Sequence, residues 1–197
     1  MTAGGNMCNE KLRVNGGVKS KRRGRAKNRR SVERQSVNGK ILTVILLYAL
    51  GTLIPLSVGA LSVFLVRDQM EIYAAINLPL LSPRGIAFPI VWTVLYFLMG
   101  ISSVTVYRLR DANPVAARLG LSRYFSSLFF NLVWSIIFFD LRSPLFAFFT
   151  ILVLLYFIVG SAVAYLRVSV LAGCLQIPYI LWIVFAAYLN VGVYFLN

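Results

Sequence analysis

Histidine is absent from all 197 residues, which excludes a His-based catalytic triad, a zinc-activated water held on imidazole and a histidine-ligated haem. Cysteine is almost as scarce. Cys8 and Cys174 are the only two, too few for a disulfide framework or a thiolate metal cage, and they leave the redox compartment open. Acidic residues number 6 against 20 basic ones. Five long apolar stretches carry no charge of either sign, which removes the proton relays and ion-coupling carboxylates of pumps and coupled transporters. The remaining composition is 59% hydrophobic and 13% charged, far outside the range of a soluble domain. This is a membrane chain.

The basic residues are unevenly spread. Residues 1–40 hold 12 Lys and Arg against 2 Glu, whereas residues 41–197 hold 8 against 4 acidic ones. This first segment, ending KSKRRGRAKNRRSVERQSVNGK, has almost nothing to bury and no apolar period, so disorder is expected there. It is not a secretory signal, because the apolar run that follows is too long and lacks a small-residue cleavage site. Twelve basic side chains beside a span attract anionic headgroups, at about 1 kcal/mol for each one near the surface. No aromatic residue is interleaved for base stacking, which argues against nucleic acid as the partner.

The expected fold class is all-α: a polytopic membrane protein with a disordered basic tail over residues 1–40 and a five-helix transmembrane bundle over 41–197. Strands are excluded, since an open sheet leaves backbone groups unpaired in lipid and the runs lack barrel-like alternation. The expected spans are Ile41–Val66, Ile86–Tyr107, Tyr124–Phe139, Leu145–Leu166 and Val168–Leu196. The third is short. Extending it back through Leu119–Arg123 lets it cross about 30 Å of hydrocarbon, with Arg123 snorkelling toward the headgroups. Counting basic residues in the connections puts the N-terminus inside and the C-terminus outside. A bacterial cell membrane is the expected location, or a mitochondrial or other organelle membrane if the source is eukaryotic, since an Arg-rich, acid-poor tail can also serve as an organelle address.

The first connection, RDQMEIYAAINLPLLSPRG, is long, and its Ile72, Tyr73, Ile76, Leu78, Leu80 and Leu81 suit a lid packed on the end of the bundle. Pro55 and Pro178 fall inside spans, where each frees a carbonyl and can kink its helix. Gly160 and Ala164 form a small pair that lets another helix approach closely, a pointer to a dimer contact. No internal repeat is evident, so an inverted-repeat transporter has no support.

The spans do contain aromatic and amide side chains at helical spacing. Phe88, Trp92, Tyr96 and Met99 share a face of the second. Asn131, Trp134, Ser135 and Phe138 share one of the third, and Pro178, Trp182, Ala186, Leu189 and Asn190 one of the fifth. A single aromatic stripe most often faces lipid or packs on a neighbour. Three stripes with polar handles suggest more. Asn131 and Asn190 are costly in hydrocarbon and should point into the bundle, where they either orient a ligand or merely join helices. An interior of Trp, Tyr and Phe with a few amides suits a flat, mostly apolar ligand.

The segments AFPIVWTVLYFLMG, FFNLVWSIIFFDLRSP and IPYILWIVFAAYLN, in order and at matching spacing, closely resemble the TspO/MBR family of tryptophan-rich sensory proteins, which includes the mitochondrial translocator protein. The likeness covers about residues 45–197. It implies a five-helix bundle, commonly dimeric, that binds porphyrins, sterols and synthetic isoquinoline or benzodiazepine ligands in a pocket under the first loop. Position by position it implies ligand contact from Trp92 and Tyr96, from Asn131, Trp134 and Phe138, and from Trp182, Ala186, Leu189 and Asn190; in the family the alanine matching Ala186 lies against the ligand. Phe88 belongs to the same face, and Tyr73 and Pro79 match the first loop.

Three places depart from the family pattern. Where its members usually carry tryptophan, this chain has Ile72, Leu81 and Ile86. Loop tryptophans are implicated in light-dependent porphyrin breakdown by some bacterial relatives, and aliphatic carbon supplies neither an oxidisable indole nor its stacking surface. Turnover is not expected. The C-terminal sterol motif of animal members is also incomplete, with Val191 and Phe195 in place of its aromatic and basic residues. The expected function is thus a membrane receptor or sensor that binds a porphyrin or similar flat lipophile as ligand rather than cofactor. The alternatives are a porphyrin-degrading enzyme and a facilitator of tetrapyrrole transport.

Overall fold

The computed structural model describes residues 37–66, 79–83 and 87–197. Of the tail expected to be disordered over residues 1–40, residues 37–40 are instead helical and open the first helix, while residues 1–36, the loop residues Ile72, Tyr73, Ile76 and Leu78, and Ile86 lie outside the described residues. Six helices follow in order: α1 Val37–Val66, α2 Ala87–Arg108, α3 Pro114–Ser135, α4 Pro144–Leu166, the short α5 Val170–Cys174 and α6 Ile177–Leu196. With α5 and α6 taken together, these are five helical segments long and apolar enough to cross a membrane. The described residues contain no strand. The all-α, five-span expectation holds.

The chain divides after Leu46. The described part of the first unit is the opening of α1, where Thr43 Oγ1 donates to the Gly39 carbonyl at 3.0 Å. The second unit, from Leu47 to Asn197, carries everything that follows.

Local chemistry sets the helix boundaries. Asn113 caps α3 by accepting from the Ala116 N–H at 3.2 Å, and Pro114 occupies the first turn, where a missing donor costs nothing. The third span therefore begins at Pro114, earlier than Leu119. Pro144 opens α4 in the same way. Pro178 does not kink a span as expected. It sits in the first turn of α6, after a break at Leu175–Gln176 that separates α5 from α6. Pro55 is buried within an unbroken α1.

The far end of α3 widens into a π turn over Ile136–Asp140, closed by the Leu141 N–H on the Ile136 carbonyl at 3.0 Å. Phe138 and Phe139 are both buried as a result.

Between helices in lipid there is little hydrophobic driving force, so close approach and internal hydrogen bonds decide the packing. A Cβ added at Gly100 would meet the Thr52 side chain, and one added at Gly120 would stand 2.6 Å from Tyr165 Cδ1 and 3.1 Å from Ala164 Cβ. A Cβ added at Gly160 would stand 3.0 Å from Arg123 Cδ, and Arg123 Nη1 donates to the Gly160 carbonyl at 3.0 Å. Arg123 thus bonds a neighbouring backbone carbonyl, and Gly160 and Ala164 both lie at the α3–α4 seam. Ser102 Oγ donates to the Ala172 carbonyl at 2.7 Å and accepts from Gln176 Nε2 at 3.2 Å, tying α2 to the α5–α6 break.

At the other end of the bundle, Pro79–Pro83 rests on α6. Tyr188 donates to the Leu80 carbonyl at 3.0 Å, and Pro79 packs where Gly192 leaves room for it. Leu80 and Leu81, expected to pack as part of a lid, are instead 81% and 76% exposed. The turn explains this: Ser82 bonds back to the Pro79 carbonyl through both its N–H and its hydroxyl, and Leu81 takes φ 71, which directs the leucines away from the helices.

Candidate functional site

The aromatic faces of α2, α3 and α6 do meet, but they fill most of the space between them with their own rings. Trp92 stacks on Trp134 at a centroid distance of 6.0 Å and meets Trp182 edge-on at 6.2 Å. Trp134 stacks in turn on Phe138 at 5.6 Å, and Phe88 lies 6.0 Å from Trp182. Beside Phe138, Trp182, Ala186, Leu189 and Asn190 the free space is only about 10 Å³. That is scarcely room for one water.

A ligand-sized cavity, about 570 Å³, lies on the other side of the Trp92–Trp134 stack, and a second, more open space of about 490 Å³ lies between α2 and α6 against Pro178, Trp182 and Phe185. The walls of the first come from α2 and α3 through Phe88, Trp92, Tyr96, Asn131, Trp134 and Ser135, as the sequence periodicity suggests, and from Phe139 through the π turn. The third wall is α1. Leu56, Gly59, Ser62 and Val66 face inward there, with Ala60 and Val63 at the edge. Gly59 lies so close to the Tyr96 ring that any Cβ would displace it. The cavity is open where Ala60, Val63, Pro89 and Thr93 are exposed. Of the sequence-derived candidates, then, Phe88, Trp92, Tyr96, Asn131 and Trp134 line the larger space. Phe138, Trp182, Ala186, Leu189 and Asn190 surround the smaller one, to which Phe88 and Trp134 also belong. Tyr73 lies outside the described residues.

Sequence reading missed the whole α1 wall and Phe139. The α1 signal was present, since Thr52, Gly59 and Ser62 are small or hydroxylic residues at roughly helical spacing in an otherwise Leu- and Val-rich helix. The Phe139 signal was not, because a π turn has no such periodicity.

Polar groups are few and mostly committed. Asn131 is 1% exposed; its Oδ1 accepts from Tyr96 at 2.8 Å and its Nδ2 donates to the Tyr179 hydroxyl at 2.9 Å. One carboxamide thus joins α2, α3 and α6 while still bordering the cavity. Tyr179 is a further residue that spacing did not flag. Asn190 donates to the Ala186 carbonyl of its own helix at 2.8 Å and accepts a long bond from Trp134 Nε1 at 3.4 Å. Trp182 Nε1 is buried without a partner. This arrangement offers stacking surface, a fixed amide at one edge and an unclaimed indole N–H at another. Nothing in it resembles a nucleophile–base pair.

The TspO/MBR family model matches residues 51–196. The chain belongs to the TspO/MBR family. It is 34% identical over 166 residues to the tryptophan-rich protein TspO of Chlorobaculum tepidum, covering 82% of this chain and 99% of that protein. To the translocator protein of Ovis aries it is 33% identical over 141 residues, 71% of this chain and 83% of the relative. The tryptophan-rich sensory protein of Cereibacter sphaeroides is 31% identical over 120 residues, 61% of this chain and 73% of its own length. The match begins in mid-α1 and takes in every wall of the cavity, so this TspO/MBR chain is an integral membrane protein whose family region and candidate site coincide. Residues 1–50 lie outside the family match.

Proposed function

We propose that this protein is a membrane receptor or sensor that binds a porphyrin, or a lipophile of similar flatness, in the cavity between α1, α2 and α3. The observation that carries the reading is the cavity itself. Its volume of about 570 Å³ falls within the ~300–1,000 Å³ usual for small-molecule sites. One wall is a continuous aromatic surface of Trp92, Trp134 and Tyr96, which offers a planar ring system the offset stacking that π-faces favour. Asn131 and Ser62 supply polar edges, and Trp182 lies behind the stack with an N–H still to donate. In this reading the N-terminus lies inside, and a bacterial cell membrane hosts the protein.

Titrating the full chain in nanodiscs with protoporphyrin IX tests it through quenching of Trp92, Trp134 and Trp182. Saturable quenching is expected, weakened when the cavity is narrowed from the α1 side. Quenching that never saturates, or is indifferent to such narrowing, removes the proposal. Illuminating the same sample should yield no new absorbing product, because Leu81, at the loop position where relatives carry an indole, is aliphatic.

One observation favours a second reading. The opening at Ala60, Val63, Pro89 and Thr93 lies on the side of the bundle, on residues that acyl chains would cover, so a lipophile could exchange with the bilayer directly. That suits a facilitator. Ligand transfer between two vesicle populations, faster with protein than without, would distinguish it from a receptor that only holds its ligand.

A further inference from the structure

The cavity between α1, α2 and α3 is uncharged, and its hydroxyl hydrogens are already committed. Among the described residues that line it there is no Lys, Arg, Asp or Glu. Ser62, Thr93, Tyr96 and Ser135 bring hydroxyls to it, and a hydroxyl has one hydrogen to donate. Ser62 donates to the Val58 carbonyl at 3.0 Å, Thr93 to the Pro89 carbonyl at 2.8 Å and Ser135 to the Asn131 carbonyl at 3.2 Å. Tyr96 donates to Asn131 Oδ1 at 2.8 Å. The Trp134 indole N–H is turned toward Asn190 Oδ1 at 3.4 Å. Asn131 Nδ2 gives one hydrogen to the Tyr179 hydroxyl at 2.9 Å, which leaves its second for anything bound. Apart from that amide hydrogen, the polar side chains of the described wall present oxygen lone pairs.

This inventory separates ligands of the same shape. An ionised carboxylate accepts hydrogen bonds at both oxygens and donates none. Inside this wall it would give up its water, meet lone pairs and find no counter-charge, which is the costly way to bury an ion. The side opening gives no relief, because Ala60, Val63 and Pro89 are apolar and Thr93 has already committed its hydrogen. Hydrocarbon beyond the opening is no better a solvent for charge. A neutral ring system that carries hydroxyl or N–H groups meets the opposite situation. The lone pairs of Ser62 and Ser135 accept from it while Trp92 and Trp134 stack on it.

Resting on the reading of this cavity as a site for a flat lipophile, we propose that it selects by charge: it takes neutral, hydrogen-bond-donating rings in preference to the same rings bearing ionised carboxylates. For a porphyrin, the preferred occupant is the esterified or acid-free ring.

Protoporphyrin IX and its dimethyl ester isolate this effect, since they share one ring and the same inner N–H groups and differ only in the two acids. Tryptophan quenching by each is measured on the full chain in nanodiscs and referred to that porphyrin's partition into empty nanodiscs. At pH 7 the diester should bind tighter by about tenfold or more, because both acids are ionised there and must shed water or take up a proton to enter. Lowering the pH toward about 5, closer to the range where free carboxyl groups protonate, should narrow that ratio. Protonation of the ring nitrogens is common to both porphyrins and cancels. Tyr96 is the one titratable side chain of the described wall, and a phenol keeps its hydrogen at either pH. A diester that binds no tighter than the acid at pH 7 overturns the proposal, as does a ratio indifferent to pH; in either case saturable quenching by both leaves the cavity reading standing. If neither porphyrin quenches saturably, the cavity reading fails and the selectivity falls with it.

Discussion

The two halves of the bundle are built from different materials. Toward the α2–α3 and α4–α5 connections, helices meet through Gly100, Gly120, Ala164 and Thr52, with side-chain hydrogen bonds such as Ser102 to the Ala172 carbonyl. Toward the opposite connections they meet through Phe88, Trp92, Trp134, Phe138 and Trp182. Small residues bring backbones together and leave no volume, whereas large rings stand the helices apart and leave gaps that their flat shapes cannot fill. The cavity lies in the aromatic half for this reason. Binding and rigidity are thus divided along the helix axis instead of between domains.

Substitutions in each half should separate these roles. The largest effect is expected from Gly120→Leu, which drives a side chain into Tyr165 and Ala164. It should cost about 3 kcal/mol, at the upper end for overpacking, seen as a lower midpoint in denaturant unfolding, with ligand quenching intact in the fraction that remains folded. Asn131→Leu comes next, because it leaves the Tyr96 and Tyr179 hydroxyls unpaired at once. A loss of about 2 kcal/mol is expected, together with weaker quenching, since Asn131 also borders the cavity. Equal quenching before and after would detach it from the cavity.

Ala60→Phe tests the aromatic half alone. It lies at the exposed edge of the cavity and should weaken protoporphyrin binding by about tenfold, or 1.4 kcal/mol, while leaving thermal stability within about 0.5 kcal/mol. Ala186→Leu, on the smaller space, is the natural contrast, and a larger binding loss there than from Ala60→Phe would relocate the ligand to the α6 side. The smallest effect is expected from Tyr188→Phe, which removes an exposed hydrogen bond to the Leu80 carbonyl. It should change stability by less than about 1 kcal/mol and show itself as faster proteolysis in the Pro79–Pro83 turn.

Much of this was legible in the sequence, and the reasons differ by region. Span number and helical class follow from uncharged length, which hydrocarbon enforces almost alone. The stripes of α2 and α3 followed from a period of 3.6, and Trp92, Tyr96, Asn131 and Trp134 duly share the cavity wall. Periodicity shows which residues share a face but not which helix stands opposite. The rings of α6 were therefore expected around the same chamber, whereas Trp182 closes against Trp92 and borders a separate, more open space between α2 and α6. Periodicity likewise does not show that Arg123 and Gly160 meet across the α3–α4 seam, a hydrogen bond that only the fold brings together.

The widened turn at Ile136–Asp140 amounts to one residue of slack at the rim of the chamber. Deleting Ile137 would let ordinary winding take up that slack and draw the far end of the helix inward, reshaping the rim without changing the identity of any lining residue. Breadth at that rim is thereby governed by chain length as well as by side-chain identity, an adjustment that a comparison of residue types alone would overlook.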